Sequence, residues 1–161
     1  MVAMSQAGEK VLSIDLISAK KNINVGNWSL SSAQVDMKSP LSWSVRKYNL
    51  HGGKQEGVEI VEINNGVLSI LIIPTRGMNV LKVVGPDITL GWDSPVKEVV
   101  HPKWVDLNYN GGLGWLDSFN EWMVRGGMEY SGHPGDDNGR LMTLHGRVAH
   151  CPASEVTVTI E

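Results

Sequence analysis

The amino-acid sequence predicts an all-β fold built from antiparallel strands. Its clearest segment holds two β-branched runs, residues 58–63 and 67–73, joined by an Asn-Asn-Gly turn. Asn-Gly between such runs favours a hairpin, because both residues tolerate a positive φ angle. Similar runs follow at residues 78–84 and 88–92, without the strand–helix alternation that a parallel sheet requires. We therefore expect an antiparallel meander.

The segments on either side of this meander are less regular. Residues 1–12 are expected to form a loose lead-in, and residues 11–17 fit a strand or a short helix equally well. Residues 42–48 alternate polar and apolar side chains, which is the period of a half-buried strand. Residues 140–147 and 156–160 complete the set of predicted strands.

Length and charge set limits on the function. The 161 residues indicate one domain, residues 1–161, and a hydrophobic fraction of 42% argues against a disordered chain. The net charge of −3 argues against a nucleic-acid partner, because binding to phosphates requires clustered cations. The longest strongly apolar stretch, residues 67–73, is far shorter than the roughly 20 residues that cross a bilayer.

Two further features concern location and completeness. The single cysteine cannot form an internal disulfide, and the first residues lack the basic start and apolar run of a signal peptide. We therefore expect a cytoplasmic protein without a membrane partner. The last predicted strand runs to the end of the sequence, so we expect this chain to be the N-terminal portion of a longer protein.

The polar residues between positions 101 and 150 carry the functional signal. Residues 93–140 show no sustained period, and only residues 117–124 predict a helical turn or two. A long irregular stretch inside a compact domain is typical of a functional loop. On a strand over residues 140–147, His145 and Arg147 would share one face, since side chains repeat every two residues. Such a donor-rich patch suits hydroxyl, ring-oxygen or carboxylate groups.

Several candidate residues leave alternatives open. Arg125 precedes two glycines, which let a ligand approach the backbone closely, whereas Arg76 could simply pair with a carboxylate. His133 with Asp136 and Asp137 could bind a metal ion, but no His-x-His or Glu-x-x-His spacing supports this, and a solvated acidic loop is the usual explanation. The tryptophans concentrate in the middle of the chain, where they either close the end of a β-sandwich or lie under a ligand.

A set of short motifs occurs in a definite order along residues 74–153. The motifs are Pro74-Thr75-Arg76-Gly77-Met78, Gly91-Trp92-Asp93-Ser94-Pro95, Gly111-Gly112-Leu113, Arg125-Gly126-Gly127-Met128-Glu129, Gly132-His133-Pro134-Gly135, Leu144-His145-Gly146-Arg147 and Pro152-Ala153. In this order they resemble the DUF4432 family, which is similar to the aldose 1-epimerase (galactose mutarotase-like) superfamily. The resemblance implies an antiparallel β-supersandwich with a sugar cleft on one sheet, present here as an incomplete, N-terminal portion.

The resemblance also implies roles toward a small-molecule sugar. His145, in the Leu-His-Gly motif, corresponds to a catalytic histidine that stabilises the sugar ring, and Arg125 or Arg76 corresponds to an arginine that contacts sugar hydroxyls. The other predicted substrate-binding residues are Arg147, Glu129, His133, Trp115 and Trp122. Trp115 or Trp122 would contact the apolar face of the sugar.

The general acid and general base of mutarotases lie in the C-terminal half, outside this sequence. We therefore expect an isomerase in the full-length form and no turnover by this chain alone, with no cofactor and no metal. Two other functions stay open. One is a non-catalytic sugar-binding module, and the other is a metal-dependent sugar isomerase with His133, Asp137 and His145 or His150 as ligands.

Overall fold

The computed structural model describes residues 11–36 and 39–161, so most of the expected lead-in lies outside the described residues. Within these ranges β-strands are the main regular secondary structure. The strands are β1 (Leu12–Ser18), β2 (Ile23–Asn24), β3 (Trp28–Ser31), β4 (Ser44–Asn49), β5 (Glu59–Asn64), β6 (Ser69–Ile73), β7 (Asn79–Val84), β8 (Thr89–Leu90), β9 (Gly135–Asp137), β10 (Arg140–Met142) and β11 (Glu155–Ile160). The helical elements are α1 (Tyr109–Gly112) and single 3-10 turns at Ser32–Gln34, Gly53–Gln55, Pro102–Trp104, Gly114–Asp117 and Val148–His150.

The strands form three antiparallel sheets, which confirms the predicted all-β fold. The largest has the order β3-β4-β5-β6-β7-β8, the second has the order β11-β1-β2, and β9 pairs with β10. The predicted hairpin is β5–β6, where Asn64 faces Ser69 and the Asn65 N–H donates to the Leu68 carbonyl at 3.1 Å. Residues 11–17, which the sequence left between strand and helix, belong mainly to β1.

Both faces of the large sheet are covered near β5. Val61 packs with Leu16, Ile17, Val45 and Val156 in a cluster that joins the large sheet to the β11-β1-β2 sheet. Its neighbour on β5 points the opposite way, because side chains alternate along a strand. That neighbour, Ile60, belongs to a second cluster with Val58, Ile73 and Val99. Each fully buried aliphatic side chain contributes about 1.5–3 kcal/mol to folding.

A third cluster lies under the irregular segment. It contains Trp115, Leu144 and Ala149, and Phe119 packs against it. No helix among the described residues combines the length and the apolar character needed to cross a membrane.

The predicted strand over residues 140–147 is wrong beyond Met142. After β10 the chain turns, and the Gly146 N–H donates to the Thr143 carbonyl at 3.1 Å. His145 and Gly146 have φ angles of +55° and +72°, which no extended strand adopts. His145 and Arg147 therefore do not share a strand face.

The predicted helical turn over residues 117–124 is also misplaced. The 3-10 turn is earlier, at Gly114–Asp117, and residues 122–123 are instead held against β7. There the Trp122 N–H donates to the Leu81 carbonyl at 3.0 Å, and Met123 and Val80 exchange two backbone bonds. This pairing brings the polar residues before Trp122 next to the start of β7.

Candidate functional site

A buried ion pair, Arg76–Glu121, joins the turn before β7 to the irregular segment. The Nη2 of Arg76 lies 2.6 Å from Oε1 of Glu121, and their side chains are 1% and 0% exposed. The same oxygen accepts a hydrogen bond from Asn79 Nδ2 at 2.7 Å. Oε2 accepts the backbone N–H of Asn120 at 3.1 Å, and the Asn120 side-chain oxygen accepts from Arg76 Nη1 at 3.3 Å. Both carboxylate oxygens therefore have protein donors.

His150 lies beside this pair in a neutral form. Its Nε2 is 2.7 Å from Oγ of Ser118, and its ring is 8% exposed. Burial, with a smaller contribution from the charge of Arg76, lowers the pKa of His150 to about 4. Burial also lowers the pKa of Arg76, while Glu121 opposes that shift.

The backbone of Arg125 is connected to the Arg76–Glu121 pair through Asn79. Its N–H donates to Oδ1 of Asn79 at 2.9 Å, and its Nη1 donates to the Gly77 carbonyl at 3.3 Å. The close packing of Gly77 explains the glycine, because a Cβ there would lie 2.4 Å from the Val148 carbonyl oxygen. Arg125 lines a cleft of about 280 Å³ together with residues that include Cys151, Ser154 and Glu155.

His145 is held in one orientation at the tight turn. Its N–H donates to the Gly132 carbonyl at 3.1 Å, and its Nδ1 accepts the Gly132 N–H at 3.2 Å. Its ring meets the Trp115 ring edge-on, with centroids 5.1 Å apart. Because Nδ1 accepts a hydrogen bond, this geometry assigns the proton of the neutral ring to Nε2. No protein group in the described ranges bonds Nε2, so it is free to donate to a ligand.

Glu129 is at the centre of an exposed charged cluster. Its carboxylate accepts two hydrogen bonds from Arg147, at 2.7 and 3.0 Å, and also pairs with Arg140. The hydrogen bond from Arg147 is the main cause that lowers the pKa of Glu129. The cluster lines a cleft of about 400 Å³, whose other polar lining residues include Asp106, Asn108 and Thr143.

The structure separates several residues that the sequence grouped together. Arg125 and Arg147 line different clefts, and Arg76 is buried beneath them. Trp115 is 4% exposed, so it supports His145 from below instead of offering an open face to a sugar. Trp122 is 39% exposed, and His133 is exposed with Nδ1 3.1 Å from the Pro134 carbonyl oxygen.

The residues considered as metal ligands do not come together. Among residues 11–36 and 39–161, no three His, Cys, Asp or Glu side chains are grouped as a metal site requires. His150 bonds Ser118 inside the protein, whereas His133 and Asp137 are exposed. The geometry therefore gives no support to a metal-dependent isomerase.

Sequence reasoning did not single out Asn79, Glu121 or Arg140 as site residues. Asn79 directly follows the Arg-Gly-Met motif and is polar at the start of an apolar strand, which is a signal for a buried contact. Glu121 lies 45 positions after Arg76, and no local pattern connects the two. Arg140 pairs with Glu129 across a loop whose course the periodicity did not predict.

Comparisons with known proteins identify similar chains. The family model described as "Domain of unknown function (DUF4432)" matches residues 55–161. A crystal structure from Klebsiella pneumoniae subsp. pneumoniae, described as a "putative aldose 1-epimerase", is 45% identical with a TM-score of 0.89. The alignment covers 94% of this chain and 39% of that one, so this chain spans well under half of that protein's length. No curated protein matches the chain.

Proposed function

Because the chain belongs to the DUF4432 family, we propose that it forms the sugar-binding part of an aldose 1-epimerase-like protein that acts at or near the anomeric carbon. The likeness to the Klebsiella protein supports the reaction class. The observation that carries the proposal is the orientation of His145. Its Nδ1 is occupied by the Gly132 N–H, which leaves a fixed Nε2–H donor.

In this proposal Nε2–H of His145 donates to the ring oxygen of the sugar. A donor held in place before the sugar binds costs no reorganisation when negative charge develops on that oxygen during ring opening. The edge of Trp115 and the backbone of Gly132 hold the imidazole. His145 therefore acts directly on the sugar, and Trp115 acts through His145.

The remaining residues divide into contacts and supports. Arg125 and Arg147 line different clefts, so one or the other donates to the sugar hydroxyls, and the half-exposed Trp122 offers an apolar face. Glu129 orients Arg147 by its two hydrogen bonds, and His133 contributes an exposed ring close to the His145 turn. Arg76 acts from beneath, through Glu121 and Asn79, and does not touch the sugar.

Anomer exchange requires two proton transfers. A base takes the proton of the C1 hydroxyl, an acid protonates the ring oxygen, and the opened chain recloses on the other face. From the resemblance to mutarotases we expect that acid and base in the C-terminal half of a longer protein. We therefore propose that this chain binds sugar without turnover and that the longer protein exchanges the anomers.

Calorimetric titration of the 161-residue chain with D-galactose and D-glucose tests this function. We expect binding of at least one sugar, and we expect anomer exchange, followed by NMR, to stay at the buffer rate. Binding that persists without turnover in the longer protein would favour a non-catalytic sugar-binding module. A chain that binds neither sugar at millimolar concentration would contradict the proposed function.

A further inference from the structure

Asn79 connects the buried ion pair to the loop that carries Arg125. Its side chain is 1% exposed at the first position of β7. The amide nitrogen donates to Glu121 at 2.7 Å and to the Ala149 carbonyl at 3.3 Å. The amide oxygen accepts the Arg125 backbone N–H at 2.9 Å. One side chain on β7 therefore connects to residues 121–125 and to Ala149, two segments that are far from it in the sequence.

The contacts also fix which way the Asn79 amide faces. Glu121 Oε1 and the Ala149 carbonyl are acceptors, so the NH₂ group must point toward them. The oxygen is then directed at the Arg125 N–H, which is a donor only. An amide satisfies all three partners at once, whereas a carboxylate in the same place would oppose Glu121.

The loop that begins at Arg125 leads to His145. A Cβ added at Gly126 would lie 3.9 Å from Cβ of His145, so the two backbones pass close to each other. The Arg125 guanidinium is in turn fixed to the Gly77 carbonyl, two residues before Asn79. The position of Asn79 therefore sets both the side chain of Arg125 and the approach of its loop to His145.

We propose that Asn79 is a positioning residue of the sugar site, which transmits the geometry of the buried Arg76–Glu121 pair to Arg125. The effect on sugar affinity rests on the proposed function, whereas the effect on the Arg125 backbone does not. The charged groups that face Asn79 are Glu121 directly and Arg76 through Glu121. His150 follows Ala149 and is neutral above its low pKa, of about 4.

The variant Asn79→Asp tests the proposal through a pH profile. Near about pH 5.5, a carboxyl forced against the Glu121 carboxylate keeps its proton and can donate to it while its other oxygen accepts the Arg125 N–H, so only the bond to the Ala149 carbonyl is lost. Near about pH 8.5 that proton is lost, and we expect sugar affinity to fall about tenfold, the equivalent of one pKa unit. The wild-type chain, titrated in parallel, gives the pH dependence that the other groups of the site contribute, and the tenfold loss is expected beyond it.

Asn120→Asp is the matched control, because the Asn120 side chain accepts from Arg76 and donates to the Val96 and Glu98 carbonyls, and none of these contacts involves Arg125. We expect its thermal midpoint to fall without a comparable pH dependence of affinity. Equal pH profiles for the two variants, or a flat profile for Asn79→Asp, would overturn the positioning role.

Amide hydrogen exchange at Arg125 separates this proposal from the proposed function. In Asn79→Ser, which introduces no charge, the Arg125 amide should exchange at least about tenfold faster than in the wild type, while the amides of β5 keep their protection. Faster exchange at Arg125 in Asn79→Ser, together with no sugar binding by the wild type, would contradict the proposed function and leave the positioning role of Asn79 intact. Unchanged exchange at Arg125 in Asn79→Ser would overturn the positioning role of Asn79. This test holds even if Asn79→Asp fails to fold.

Discussion

Two arginine–glutamate clusters in this chain use the same chemistry in opposite surroundings. The Arg76–Glu121 pair is sealed from water, with both side chains at most 1% exposed. In the second cluster Glu129 is 29% exposed and Arg147 is 60% exposed. The buried pair is bonded only by protein groups that hold the chain together, whereas the exposed pair keeps donors in contact with solvent. Burial, and not residue type, decides which arginine is available to a ligand.

The largest expected effect comes from breaking the buried pair. Glu121→Ala leaves the Arg76 charge without its partner in a dry site, and we expect a loss of about 3–5 kcal/mol in the free energy of unfolding. Urea denaturation measures this loss. The double variant Arg76→Met with Glu121→Leu should recover much of it, because no unpaired charge remains. If Glu121→Ala lowers the free energy of unfolding no more than Glu129→Ala does, burial does not separate the two clusters.

His150, which lies beside the buried pair, should make the stability of the chain depend on pH. Its folded-state pKa, of about 4, is below the ordinary histidine value, so the unfolded chain binds a proton first as the pH falls. Stability should therefore decrease between about pH 6.5 and about pH 4, by about 2–3 kcal/mol from this group. His150→Gln removes the titrating ring and should flatten this part of the curve. An unchanged curve for that variant would assign the pH dependence to other groups.

The strands of the meander could be predicted from the sequence, whereas the buried ion pair could not. The alternation of residues 58–63 and the Asn-Gly turn predict β5 and β6 because those signals are local. The contact between Arg76 and Glu121 depends on the pairing of residues 122–123 with β7. No periodicity in the sequence predicts that pairing. The turn at His145 was mistaken for a strand, because alternating residue types also occur where the backbone turns at positive φ.

Replacing His145 with alanine should affect binding more than folding. The lost hydrogen bond to a neutral sugar oxygen should weaken binding by about 0.5–1.5 kcal/mol, which calorimetry measures. The thermal midpoint should fall modestly, since alanine keeps the backbone bond to the Gly132 carbonyl and loses the bond that Nδ1 accepts from the Gly132 N–H. A large drop in the midpoint with unaltered sugar affinity would leave His145 a structural residue of the turn.

The smallest expected effect belongs to the exposed cluster. Glu129→Gln removes a charge that solvent already screens, so the thermal midpoint should stay within experimental error. Sugar affinity should change modestly, because Arg147 loses the partner that orients it. Raising the salt concentration should reproduce part of this change in the wild type. A destabilisation as large as that of Glu121→Ala would show that exposure does not separate the two clusters.

NMR of the His145 imidazole nitrogens during a titration with D-galactose shows whether this residue presents a fixed Nε2–H donor to the sugar. Before sugar is added, we expect the tautomer that carries its proton on Nε2, with Nδ1 accepting the Gly132 N–H. At saturation the Nε2–H resonance should move downfield while the Nδ1 resonance stays nearly unchanged. A ring protonated at Nδ1, or an Nε2–H that does not respond to saturating sugar, would show that His145 is not the donor to the sugar.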